Sequence, residues 1–240
     1  MERPIKRLFQ VFSVLLIIGL VGFIVLSYFT YSPNDENQVL ITYPSVVEKD
    51  DYYRIISHGE AQANLVFYQG GLVQTESYLE LAYAISQAGI NVYIPKMPLN
   101  LAILDRNAFN DIYEDDGLDW YIGGHSLGGA SAAYVAESHE KLSGIIFLAA
   151  YPPSSVDLSE STLDVLSITA SEDEILDWQL YEESKALLPN DTDYAIIYGG
   201  NHSGFGSYGF QRGDGDAWIS AQFQRIRTVE LISRFMVSSD

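Results

Sequence analysis

The sequence predicts an α/β domain, a mostly parallel central sheet flanked by helices, preceded by one N-terminal transmembrane helix. Three observations predict it. From about residue 39 onward, runs rich in β-branched and aromatic residues alternate with helical patterns, and that alternation calls for crossover helices between parallel strands. One such run ends in the glycine-framed "GGHSLGG" and passes straight into an alanine-rich helical stretch. Residues 8–31 form an apolar run without a charge, which at ~1.5 Å per helical residue reaches about 36 Å, more than the ~30 Å of a hydrocarbon core.

The chain is 240 residues long, enough for a single sizeable core and too short for two. Residues 1–7 carry Arg3, Lys6 and Arg7. The chain after the apolar run offers Asp35, Glu36 and Glu48 before its first base, Lys49. Positive charge stays on the cytoplasmic side, so residues 1–7 are read as a cytoplasmic flank, 8–31 as a single membrane pass, 32–38 ("SPNDENQ") as a polar linker and 39–240 as an extracytoplasmic domain. The apolar run exceeds the ~7–15 residues of a signal-peptide core, and no A-x-A-like site follows it, so a retained anchor is expected.

Strands are expected at "VLITYP", "YYRIIS", "NLVFYQ", "INVYIP", "LDWYIGG", "SGIIFLAA", "LDVLSITA" and "DYAIIYGG", each a short β-rich run bounded by turn residues. Between them, Thr75 is expected to cap a helix through "ESYLELAYAISQAG" that stops at Gly89. The last helix is expected from an Asp216 cap, burying Ile219, Phe223, Ile226, Val229 and Ile232 at spacings of three and four.

In such a sheet ligands bind beyond the carboxyl ends of the strands, which directs attention to three places. Ser126 sits in a G-x-S-x-G pattern with Gly124 and Gly128. A strand that turns directly into a helix needs small residues on either side of the serine. A serine hydroxyl attacks a carbonyl efficiently only when a base takes its proton. Of the four histidines, His125 is adjacent and cannot turn back onto Ser126, His139 lies ~20 Å along the following helix, and His58 precedes the helix-bearing part of the sheet. His202, in the loop after "DYAIIYGG", is left. A carboxylate that orients the base is expected after the strand between them, where "SEDEIL" offers Asp173, with Glu172 and Glu174 as rivals. Donors for a developing oxyanion are expected from the N–H of Leu127, which opens the helix, and from Gly71 or Leu72 in "FYQGGLV".

With serine, acid and histidine in this order, the stretches "FYQGGLVQTESYLELAYAISQAGINVYIPKMPLNLAIL", "GGHSLGG" and "NHSGFGSYGFQRGDGDAWIS" resemble the α/β-hydrolase superfamily, and within it a small bacterial branch of membrane-anchored or exported hydrolases labelled family 5. The resemblance spans about residues 40–236. It implies an α/β-hydrolase fold, Ser126 as nucleophile, Asp173 as acid and His202 as base. Only "YPPSSVDLSEST" separates two adjacent strands where larger relatives insert a lid, so a minimal cap or none is expected. The implied activity is hydrolysis of carboxylic esters or related acyl compounds, small or lipid-like. A ligand-binding ectodomain without catalysis and an acyltransferase with the same triad are the alternatives.

Composition excludes other classes. A formal net charge of −19 repels phosphate backbones, so no nucleic-acid partner is expected. There is no cysteine, hence no disulfide, thiolate metal site or cysteine nucleophile. Neither G-x-x-x-x-G-K-[ST] nor G-x-G-x-x-G stands at a strand-to-helix corner, and the histidines lack metal-ligand spacing. No metal and no cofactor are expected. Gly19 and Gly22 make no small-xxx-small pair, and the oligomeric state stays open.

Overall fold

The computed structural model describes residues 12–14, 16, 17, 19, 20, 22, 28–35 and 40–237. Its centre is an eight-stranded sheet in the order β1-β2-β4-β3-β5-β6-β7-β8. The strands are β1 (Val46–Glu48), β2 (Tyr52–Ile55), β3 (Ala63–Tyr68), β4 (Ile90–Pro95), β5 (Asp119–His125), β6 (Leu142–Leu148), β7 (Asp164–Ala170) and β8 (Asp193–Ile197). Only β1 and β2 run antiparallel to their neighbours; β3 to β8 are parallel. Among the described residues, the helices that follow β1 are α1 (Leu79–Ser86), α2 (Ala108–Ile112), α3 (Leu127–Ser138), α4 (Trp178–Ser184) and α5 (Ala221–Met236).

β3 and β4 are buried along their whole length, as the near-continuous apolar runs of a sheet covered on both faces require. The two faces build two cores. Leu65, Phe67, Ile94, Ile146 and Ile168 pack with Leu79 of α1 and Ile232 of α5. Val66, Tyr68, Ile122 and Ile145 pack with Ala132, Ala133 and Val135 of α3. The alanines keep α3 close to β5 and β6, between which it crosses.

The elements differ from expectation in three places. Residues 41–44, expected in the strand "VLITYP", form turns, and the first strand begins at Val46; Pro44 brings no N–H to a ladder. Thr75 caps nothing. Its hydroxyl bonds the Gln69 side chain, and a 3₁₀ turn over Thr75–Tyr78 precedes α1. The last helix starts one turn later than expected, with Ser220 rather than Asp216 as cap: the Ser220 hydroxyl accepts from the Phe223 N–H at 3.1 Å. The inward face of α5 is Gln224, Arg225, Thr228, Ile232 and Met236, while Phe223 and Ile226 are half exposed. Its polar inward residues hold a loop, described below.

Residues 149–163 connect β6 to β7 without a helix or strand, so no cap domain rises over the sheet there. Half of residues 8–31, over which a membrane-spanning helix is expected, lie outside the described residues. Among the described residues no helix is long and apolar enough to cross a membrane. The end of that run and the start of the expected linker lie on the domain: Tyr31 bridges Val73 in parallel, and the Asn34 N–H donates to the Ser207 carbonyl at 2.9 Å.

Candidate active site

Among the described residues, the non-glycine ones with a left-handed backbone are Leu72, Leu99, Asn100, Ser126 and Ala149. Every one of them follows the carboxyl end of a strand: Leu72 after β3, Leu99 and Asn100 after β4, Ser126 after β5, Ala149 after β6. Such conformations cost about 1–3 kcal/mol each and persist only where surrounding structure imposes them. The strain is gathered at one end of the sheet.

Ser126 occupies the corner between β5 and α3 with φ 53° and ψ −123°. Its N–H donates to the Leu148 carbonyl at 2.9 Å, tying the corner to the end of β6. The flanking glycines are required by close approach: a Cβ on Gly128 would run into the carbonyl oxygens of Tyr68 and Gln69, and one on Gly124 into the backbone of Gly128 and Gly129.

Asp173 follows β7 and is buried. Its Oδ1 accepts the N–H groups of Ile175 at 2.9 Å and Leu176 at 2.8 Å, which fixes the carboxylate and leaves Oδ2 for His202 Nδ1 at 2.8 Å. The rivals do not reach the imidazole: Glu172 accepts from the Ser171 hydroxyl, and Glu174 is exposed. His202 is 2% exposed, and its Nε2 has no hydrogen-bond partner among the described residues.

His202 lies in a long loop, and the chain holds that loop with polar side chains. Asp214 accepts the N–H of His202 at 3.2 Å and the N–H and hydroxyl of Ser203, each at 2.8 Å. Asn201 donates to the Gly215 carbonyl and accepts the Gly204 N–H. From α5, Gln224 clasps the Asn201 backbone with both ends of its amide, and Arg225 donates to the Gly206 carbonyl while forking onto Glu80 of α1. Sequence reading missed Asp214, Gln224 and Arg225.

Of the expected oxyanion donors, Leu72 is corrected. Its N–H donates to the Asn100 carbonyl at 2.8 Å and is not free for a ligand. The Gly71 N–H makes no hydrogen bond among the described residues, and Gly71 lies against the Leu127 side chain, where an added Cβ would come within 3.1 Å. Leu127 opens α3, and the first N–H groups of a helix have no intrahelical partner. Gly71 and Leu127 therefore offer two adjacent free donors.

His125, next to the serine, is buried behind this loop. Its Nδ1 hydrogen-bonds with the Tyr78 hydroxyl at 2.8 Å, and that hydroxyl accepts the Gly70 N–H at 3.0 Å. Burial raises the Tyr78 pKa. Burial, with the neighbouring His202 adding to it, pushes His125 well below 6.5. Both stay neutral, and the His125 ring packs 4.6 Å from that of His202. His58 is exposed, and His139 packs between Phe109 and Tyr113, so neither is near the cleft.

Ser126, Leu127, Ala149, Tyr151, Ile175, Leu176 and His202 line one cleft of about 290 Å³. A larger cavity of about 460 Å³ lies at the opposite ends of β7 and β8, beside Asp164 and Asp193, and shares no residue with it. Among the described residues no cluster of three or more histidine, aspartate or glutamate side chains is placed to hold a metal ion.

A mostly parallel eight-stranded sheet with a serine elbow after β5, and an acid and a histidine after β7 and β8, defines an α/β-hydrolase fold. A family model described as "Alpha/beta hydrolase family" matches residues 64–226. The chain belongs to that family, in the family 5 branch. Among solved structures it is similar to the Francisella virulence factor BioJ, with 16% identity, TM-score 0.59 and coverage of 83% of this chain and 89% of that one. A soluble variant of monoglyceride lipase from Saccharomyces cerevisiae, solved with a substrate analogue, gives 10% identity, TM-score 0.58 and coverage of 80% and 95%. The monoacylglycerol lipase of Paleococcus ferrophilus gives 16% identity, TM-score 0.57 and coverage of 77% and 99%. No curated protein matches the chain.

Proposed function

We propose that this α/β-hydrolase is a serine hydrolase that cleaves carboxylic esters or related acyl substrates through Ser126, His202 and Asp173. One observation carries the reading. A buried histidine held through Nδ1 by a buried carboxylate leaves its Nε2 unpartnered in the cleft that the elbow serine lines.

In the first half-reaction Nε2 takes the Ser126 hydroxyl proton as Oγ bonds to the acyl carbon, and the carbonyl π electrons move onto oxygen. The N–H groups of Gly71 and Leu127 donate hydrogen bonds to that oxyanion, each such donor being worth roughly 3–4 kcal/mol. Asp173 holds the ring in the tautomer with Nδ1–H and stabilises the imidazolium. Collapse expels the alcohol, which takes the proton from Nε2 and leaves an acyl-serine. Water then repeats the sequence against the acyl carbon, with His202 again taking a proton, and releases the acid and free Ser126.

The apolar lining of the cleft suits an acyl chain, and the similar structures include a monoglyceride lipase and a monoacylglycerol lipase, which favours acyl glycerols or other lipid-like esters. The uncharged run of residues 8–31 behind Arg3, Lys6 and Arg7 supports a single-pass anchor with the domain on the extracytoplasmic side.

The test is covalent labelling of the detergent-solubilised full chain by a fluorophosphonate, with hydrolysis of short and long acyl esters, beside Ser126→Ala, His202→Ala and Asp173→Asn. Turnover is expected in the wild type and a loss of at least ~10³-fold in the serine and histidine variants. Folded wild-type protein that neither labels nor turns over overturns the reading. Labelling without hydrolysis, with turnover restored by an added alcohol, assigns the same triad to acyl transfer.

A further inference from the structure

The donor loop at Gly71 and the histidine loop come from distant parts of the chain, and one residue outside both touches each of them. The Tyr31 N–H donates to the Leu72 carbonyl at 2.7 Å, and the Tyr31 carbonyl accepts the Gln74 N–H at 3.0 Å. These two bonds grip the donor loop on either side of Val73, immediately after Gly71. On its other side the Tyr31 ring packs 5.4 Å from Tyr208, and the Tyr31 hydroxyl accepts the Arg212 N–H at 3.1 Å. Three residues on, the Asn34 N–H donates to the Ser207 carbonyl. Tyr208 in turn packs against Tyr78 and His125, the pair that holds Gly70 and lies beside His202.

We infer that Tyr31 is a positioning residue of the acyl-transfer site: the segment 31–34 acts as a strap that fixes the donor N–H of Gly71 relative to the loop carrying His202. The inference rests on the serine-hydrolase reading above and adds to it a part of the site supplied by chain that precedes the domain. Tyr31 is only part-buried, at the margin of the core it packs against, and lies outside the eight-stranded sheet. What it does hold is a loop in which Leu72 is already left-handed and in which a displacement of about an ångström is enough to cost ~10²-fold in rate.

The experiment compares the full chain in detergent with Tyr31→Ala, Tyr31→Phe and Asn34→Pro, measuring kcat and KM on one ester, the inhibition constant of an alkylboronic acid that mimics the tetrahedral adduct, and the thermal midpoint. Tyr31→Ala is expected to lower kcat by about tenfold or more with KM within about twofold, and to weaken the boronic acid by the same factor at an unfolding midpoint near wild type. Tyr31→Phe keeps the ring and both backbone bonds, and is expected within about threefold of wild type. Asn34→Pro, which deletes the bond to Ser207, is expected between the two. An unchanged kcat in Tyr31→Ala, or a fall in kcat accompanied by a matching rise in KM and a lowered midpoint, overturns the inference. A wild-type chain that turns over no ester overturns the hydrolase reading instead.

Discussion

The serine corner and the histidine loop lie in the same cleft and are built in opposite ways. The corner is held by backbone alone: a strand runs into a helix over one residue, and Gly124 and Gly128 let the carbonyls of Tyr68 and Gln69 come against it. The loop has no such frame, and its shape is imposed by side chains, Asp214 and Asn201 within it and Gln224 and Arg225 from α5. A corner made of close backbone contacts has no room to adapt, whereas a loop held by several side-chain bonds loses them one at a time. The two halves of the site should therefore fail differently.

The largest effect on turnover is expected at the corner. Gly128→Ala drives a Cβ into two fixed carbonyl oxygens. It is expected to cut ester turnover by at least ~10²-fold and to lower stability by about 1–3 kcal/mol, read by kinetics and thermal unfolding. A variant with near wild-type turnover breaks the contrast. At the loop, Asp214→Ala leaves the N–H groups of His202 and Ser203 and a buried hydroxyl without their acceptor. The expected cost is about 2–4 kcal/mol with a kcat loss of roughly tenfold, and Asp214→Asn is expected to fall in between. If Asp214→Ala instead abolishes labelling in folded protein, the loop is as brittle as the corner.

The smallest effect concerns His125, which touches both halves. The unfolded chain binds a proton on this residue below about pH 6.5 while the folded chain refuses it, because burial holds the ring well below that value. Its contribution to stability is therefore complete above pH 6.5 and declines as pH falls, by up to ~1.4 kcal/mol per unit. His139 is lowered as well, so the measurement is a difference: urea unfolding from pH 7.5 to 5, in which His125→Gln is expected to show a shallower acid slope than wild type. Parallel slopes would remove His125 as the source.

The same contrast decides what the sequence reveals. The corner is written in glycine spacing over seven residues, "GGHSLGG", so Ser126 and its strand and helix are readable locally. His202 and Asp173 are readable because strand order places their loops at one end of the sheet. Asp214 and Gln224 are not readable, since their partners lie at sequence separations of 11 to 23 and nothing local marks a glutamine on a helix as inward-facing. The start of α5 is hidden for a related reason. Periodicity alone favours Phe223 and Ile226, whereas the fold turns Gln224 and Arg225 inward to hold the loop. No local pattern announces the bond from the Leu72 N–H to Asn100.

The left-handed residues at the strand ends also set terms for engineering. An L side chain in that conformation costs roughly 1–2 kcal/mol per residue, and glycine would relieve it, less about 0.5–1 kcal/mol of added freedom in the unfolded chain. Of the positions where that exchange is open, Leu72, Leu99, Asn100 and Ala149, Leu72 lies in the donor loop, Asn100 is bonded to it, and Ala149 lines the cleft itself. A laboratory selection for heat resistance would be drawn to the residues that shape the mouth of the site, and its survivors would reveal how much turnover the scaffold exchanges for durability.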